Sequence, residues 1–217
     1  MFRLLSQSRL DWQPPQTLLN YTFNQLKVWQ LSMFKKLCQW LLALFGWQIR
    51  GQLPDSPQYL VIVAPHTSNW DFIIGVLARG ALAVKIHFLG KHQLFIPPWG
   101  WFFRAIGGSP VDRRKNNNLV DAVSELYRQD PNFKLALAPE GTRSPVKRWK
   151  TGFYHIASKA GVPIVAVGLD FSQKAVVINQ PLMPSADMQQ DMDQLIAFYR
   201  GIRGRFPKAI PDYSPNK

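Results

Sequence analysis

Apolar residues recur at three- and four-residue intervals from Leu26 through Trp29, Met33, Leu37, Trp40 and Leu44, with Lys27, Lys35, Lys36 and Gln39 off that stripe. The pattern predicts amphipathic helix over residues 16–47, as one long helix or as two, since Pro14 and Pro15 precede it and Gly46 can interrupt or end it. Tyr59–Ala64 follows as an unbroken apolar run with the length and branching of a buried strand, stopped by Pro65. A helix is predicted over 69–79, with Ile73, Ile74 and Leu77 on its apolar face, Ser68 or Asn69 as cap and Gly80 available to end it. Residues 83–89 form the next strand candidate, and Asn118 opens a helix carrying Leu119, Val123, Leu126 and Tyr127. Residues 133–138 read as strand and 153–160 as a short helix closed by Gly161. Two further strands, 163–169 and 174–179, precede a last helix over 187–203 through Met188, Met192, Leu195, Ile196 and Tyr199. Strands alternating with helices predict a layered α/β domain, in which functional residues gather at the loops beyond the strand ends.

The chain has 217 residues, 47% of them hydrophobic, enough for one substantial core. With no internal repeat and no low-complexity tract beyond Asn116, Asn117 and Asn118, it divides into an N-terminal helical membrane-association segment, 1–50, and an α/β domain, 51–217. The lone Cys38 excludes an internal disulfide and a cysteine-rich metal site, and is expected to be a packed apolar residue. No metal or other cofactor is expected.

Charge changes the picture more than composition does. Twenty-six Lys and Arg against thirteen Asp and Glu give a formal charge of +13, so the surface seeks anions. The basic residues are spread along the chain, at Lys35 and Lys36, Arg113 to Lys115, Lys147 to Lys150 and Arg200 to Lys208, and form no nucleic-acid arm. Eight Trp favour a membrane interface instead. The uncharged stretch 37–49, about 13 residues, is shorter than the roughly 20 needed to span a bilayer, so the N-terminal helix is expected to lie on an anionic membrane rather than cross it. The alternative is that its stripe packs on the domain core. Residues 1–10 lack a continuous apolar region and a small-residue cleavage site, so no signal peptide is expected. The expected location is the cytoplasmic face of a membrane, the inner membrane if the source is bacterial.

His66 stands just beyond the run Tyr59–Ala64, and Asp71 opens the next helical segment. A strand that delivers an imidazole to a sheet edge, followed by a helix whose first turn offers an acceptor, can build a general base and its orienting partner. Three further segments follow: Gly107, Gly108, Ser109, Pro110, Val111, Asp112 and Arg113; then Pro139, Glu140, Gly141, Thr142, Arg143 and Ser144; then Val162, Pro163, Ile164 and Val165.

In this order and at these separations the four segments resemble the glycerolipid acyltransferase family typified by 1-acylglycerol-3-phosphate acyltransferases. They look like that family's His-x4-Asp, Gly-x-Ile-x-x-Asp-Arg-like, Glu-Gly-Thr-Arg and Val-Pro-Ile blocks, over about half the chain. The resemblance implies a mixed sheet flanked by helices, with the N-terminal helical segment as a membrane seat. It implies acyl transfer from a thioester, acyl-CoA or acyl carrier protein as co-substrate, to a hydroxyl of a lysophospholipid in phospholipid biosynthesis or remodelling.

An imidazole, with an ordinary pKa of about 6.5, can take the hydroxyl proton at physiological pH, which makes His66 the expected general base and Asp71 its orienting partner. Candidate donors to the tetrahedral intermediate are backbone amides near Ser68 to Trp70. The resemblance assigns Arg143, with Gly141 and Thr142, to the acceptor phosphate; Glu140, an anion in that block, is expected to orient Arg143 or close a loop contact. Arg113 and Lys91 are further candidate phosphate contacts. Pro65 stands where the family usually has Asn, and Ala166 replaces a second proline, so a different alcohol acceptor stays open. A noncatalytic lipid-binding protein of the same fold and a basic nucleic-acid binder are the competing classes, and thioester consumption separates them from an enzyme.

Overall fold

A computed structural model of the chain describes residues 32–111 and 119–213. Its strands are β1 (Gln48–Arg50), β2 (Tyr59–Ala64), β3 (His87–Lys91), β4 (Gly108–Val111), β5 (Lys134–Leu137), β6 (Ile164–Asp170) and β7 (Ala175–Ile178). Its helices are α1 (residues 32–44), α2 (Trp70–Ala81), α3 (Gly100–Ala105), α4 (Leu119–Gln129), α5 (Gly152–Ala160) and α6 (Met188–Tyr199). The strands form one sheet in the order β1-β7-β6-β2-β5-β3-β4, parallel throughout except where β7 runs antiparallel to β6. This is the mixed sheet that was expected.

Side-chain alternation explains why the sheet lies in the middle. In β2, Leu60, Ile62 and Ala64 face one side while Tyr59 and Val61 face the other, and all are buried. β6 repeats the pattern, with Ile164 and Ala166 on the first side and Val165, Val167 and Leu169 on the second. A run apolar on both faces is satisfied only by a strand covered on both. On the first face Val123, Tyr127, Phe153, Ile156, Met192 and Leu195 cover it, from α4, α5 and α6. Cys38 and Leu42 of α1, with Ile74, Ala78 and Ala81 of α2, cover the second. Cys38 is the packed apolar residue that was expected, 2% exposed.

Several boundaries differ from the sequence reading, each for a local reason. The predicted strand 83–89 begins only at His87, because Ala83 takes a positive φ of 54° in the turn that follows α2. Gly80 does not end α2 but lies inside it, where a Cβ would collide with Cys38 of α1. α6 stops at Tyr199 rather than 203: the Tyr199 hydroxyl donates to Ile62 O (2.6 Å) and accepts from Val167 N (3.0 Å), and four residues later Arg203 O accepts from Phe171 N (2.8 Å), which draws the chain out of the helix. β1, α3 and β4 carry no local pattern strong enough to predict them.

α1 tests the two readings of its stripe over residues 32–44; residues 16–31 lie outside the described ones. Met33, Leu37, Trp40 and Leu44 are 50–61% exposed, whereas Cys38 and Leu42, on the opposite side, enter the core. Over residues 32–44 the stripe therefore does not pack on the domain. Among the described residues no helix is long and apolar enough to cross a membrane.

Candidate active site

β2 pairs in parallel with β5, Ile62 opposite Leu137. Extended past the strand ends, that register brings Pro65 and His66 beside Glu140 and Gly141, so two loops separated by some seventy residues of chain meet at one edge of the sheet. His66 N donates to Glu140 Oε2 at 2.9 Å across this junction. The Ala64–Pro65 peptide is cis.

After Pro65 the chain turns directly into α2, which places Asp71 in the first helical turn, where the helix dipole favours a carboxylate. Asp71 Oδ2 lies 2.9 Å from His66 Nδ1 and accepts from the backbone N–H of Thr67 (2.7 Å) and Ser68 (2.8 Å); Ser68 Oγ donates to Oδ1 at 3.0 Å. Burial pushes the Asp71 carboxyl up, but the hydrogen bonds from His66, Ser68 and Thr67 outweigh it and hold the group below its ordinary value of 3.8. An ionised carboxylate only accepts, so His66 Nδ1 carries the proton and Nε2 offers its lone pair. The His66 side chain is 26% exposed and that of Asp71 2%, so the imidazole is reachable while its partner is shielded.

These bonds narrow one expectation. The amides of Thr67 and Ser68 are committed to Asp71, and Trp70 N donates to Ser68 Oγ at 3.2 Å, so of the amides expected to serve a tetrahedral intermediate those of Ser68 and Trp70 are already engaged. They hold His66 and Asp71 in place instead.

The loop after β5 turns at Gly141, whose φ of +64° suits glycine, with Gly141 N bonded to Ala138 O (3.0 Å). Thr142 and Arg143 are exposed beyond it, and no hydrogen bond or ion pair to another described residue holds Arg143. Glu140, grouped in the sequence reading with the substrate contacts, is buried instead, and Oε2 bonds to His66 N and to Lys208 Nζ (2.6 Å) rather than to Arg143. Of its two expected roles, its bonds fit the loop contact. Lys91 ends β3 at the same edge of the sheet. Arg113 and Asp112 lie outside the described residues.

Lys208 was missed by sequence reasoning, which counted it only in the basic stretch from Arg200. Its partner is 68 residues away, and no spacing rule joins them. The one local hint is its setting between Phe206, Pro207, Ala209 and Ile210, apolar neighbours unusual for a solvated lysine.

A cavity of about 750 Å³ opens beside the Gly141 turn, lined by Thr142, Arg148, Lys150, His155 and Tyr213 among others, but not by His66. Among the described residues no group of three or more His, Cys, Asp or Glu is arranged to hold a metal ion.

The chain is similar to several known proteins. The 1-acyl-sn-glycerol-3-phosphate acyltransferase of Haemophilus influenzae is 26% identical over 64% of this chain and 61% of its own. The Escherichia coli K12 enzyme of the same name is 26% identical over 69% and 67%. The Saccharomyces cerevisiae one is 30% identical over 82% of this chain and 69% of its own. The chain thus spans about three-fifths to two-thirds of the length of the two bacterial relatives. In fold it resembles the crystal structure of the 1-acyl-sn-glycerophosphate acyltransferase PlsC from Thermotoga maritima, with a TM-score of 0.55 and 17% identity over 77% of this chain and 76% of that one. Residues 48–170 match the family model described as Acyltransferase, a span that runs from β1 through β6 and takes in both loops of the site, and the chain belongs to that family.

Proposed function

We propose that the protein is an O-acyltransferase that moves a fatty acyl group from an acyl thioester, on coenzyme A or an acyl carrier protein, to the free hydroxyl of a lysophospholipid of the 1-acylglycerol-3-phosphate type. The observation that carries this reading is the His66–Asp71 pair, an accessible imidazole whose Nδ1 faces a buried carboxylate fixed by three further hydrogen bonds. The names of the relatives supply the substrate class.

In this mechanism His66 Nε2 takes the hydroxyl proton as the oxygen adds to the thioester carbonyl. Asp71 holds the ring in the tautomer that leaves Nε2 free and stabilises the imidazolium as it forms. The tetrahedral intermediate collapses, the carbon–sulfur bond breaks, and the imidazolium proton passes to the departing thiolate. An ester and a free thiol leave, and His66 returns to its neutral form. No protein nucleophile is required.

Arg143 is read as the acceptor's phosphate contact, supported by its exposure just beyond the Gly141 turn and by the bidentate fit of guanidinium to phosphate. α1 is read as the membrane seat on the cytoplasmic face, since its exposed stripe of Met33, Leu37, Trp40 and Leu44 suits the bilayer in which a lysophospholipid resides. A panel of lysophospholipids and monoacylglycerol, assayed with both donors, tests the acceptor. Arg143→Ala is expected to raise KM about tenfold or more for the phosphate-bearing acceptor and to leave monoacylglycerol kinetics unchanged. Equal effects on both acceptors would remove Arg143 from the phosphate site.

A further inference from the structure

The family match ends at Asp170, and the chain returns to the site long after that point. Beyond α6, residues 200–213 run without regular structure back over both catalytic loops. Gly204 lies so close that a Cβ there would stand 2.7 Å from Thr67 Cγ2 and 3.1 Å from Pro65 Cγ. The Arg205 guanidinium stacks 5.3 Å over the Trp70 ring, and Phe206 N reaches Thr67 Oγ1 at 3.5 Å. The strap then delivers Lys208 between the loops.

We propose that Lys208 is a positioning residue for acyl transfer, holding the peptide of His66 and the turn that carries Arg143 in a fixed mutual geometry. The inference rests on the reading of His66 as general base. An ammonium has three hydrogens, and here each finds an oxygen: His66 O at 3.0 Å, Glu140 Oε2 at 2.6 Å and Thr142 O at 3.0 Å. Glu140 Oε2 in turn receives the His66 N–H. The backbone of His66 is thus gripped at both its N–H and its C=O by a single ion pair, and Thr142 O, immediately before Arg143, is held by the same ammonium.

Burial sharpens the assignment. The Lys208 and Glu140 side chains are 1% and 0% exposed. Desolvation offsets most of the attraction in such a pair, so a buried ion pair is a poor source of net stability, whereas its directional bonds fix geometry well. A displacement of about 1 Å in a catalytic group can cost about a hundredfold in rate.

Two variants of the full chain separate positioning from bulk stability, assayed by thiol release from acyl-CoA with 1-acylglycerol-3-phosphate in detergent micelles. Lys208→Arg keeps the charge opposite Glu140 but replaces three diverging donors by a planar fork. Its Tm and donor KM are expected to match wild type while kcat falls at least tenfold. Lys208→Met with Glu140→Gln removes both charges, leaves no unpaired buried ion, and is expected to lower kcat about a hundredfold. Wild-type kcat and acceptor KM in Lys208→Arg, or wild-type kcat in the folded double variant, overturns the proposal. His66→Ala run alongside keeps the two claims apart: an inactive His66→Ala with a full-rate Lys208→Arg removes only the role of Lys208, whereas a full-rate His66→Ala removes the base itself.

Discussion

Asp71, the orienting partner of His66 in the proposed mechanism, also serves the fold. Its oxygens gather the His66 imidazole, the Thr67 and Ser68 amides and the Ser68 hydroxyl, which closes the connection from β2 to α2 into a rigid turn. Because the folded-state pKa lies below the ordinary 3.8, the stabilisation is fully present above about pH 4 and is lost as pH falls through the lower folded value. Asp71→Asn is therefore expected to unfold at lower urea, by about 1–3 kcal/mol at neutral pH. The gap from wild type should narrow below about pH 4. A gap constant from neutral pH to well below that point would contradict the assigned bonds. The His66 and Asp71 pair was legible in the sequence because strand end, helix start and spacing are local. Lys208 was not, since its partners on the loops of His66 and Glu140 come from strands that only the sheet makes neighbours.

At the scale of elements, the site depends on which strands are adjacent and on how α1 and α2 cover one face. Long apolar runs such as β2 and β6 announced themselves in the sequence, because burial on both faces leaves few polar positions in a strand, here only Asp170 as a charged one, at the end of β6. Three-residue β1 did not, since what defines it is pairing with Ala175 to Val177 far along the chain. Gly80 was misread for a related reason: glycine near a helix end resembles a stop, but here it makes room for Cys38 and Phe34 of α1. Gly80→Val should force α1 away from α2 and cost about 1–3 kcal/mol in urea unfolding, with faster proteolysis of the released α1. Unchanged stability and protease resistance would show that the helix contact is not as close as described.

The molecule as a whole joins a +13 charge to large apolar side chains exposed on α1 and beyond it. Trp70 and Ile73 of α2, and Leu94, Ile96, Trp99 and Trp101 near α3, are exposed as well. Trp47, just after α1, meets Phe171 edge-on at 4.9 Å just after β6, so the upper end of α1 reaches the edge of the sheet at which His66 stands. A surface with these properties is expected to bind anionic bilayers through apolar insertion and charge together. Replacing Trp40 and Leu44 by Glu should abolish sedimentation with phosphatidylglycerol vesicles while leaving the fold intact; undiminished sedimentation would remove α1 as the seat. Charge and tryptophan content point to a membrane from composition alone, whereas which side of α1 is exposed follows only from the packing of Cys38 and Leu42.

The central claim, that His66 is the base for acyl transfer, meets its most direct test in thiol release from acyl-CoA or acyl carrier protein with 1-acylglycerol-3-phosphate as acceptor. His66→Ala should lower kcat by about 10²–10⁴-fold, the range in which general-base catalysis contributes, in a protein that still folds and still binds vesicles. Thiol release by His66→Ala at the wild-type rate would contradict the account.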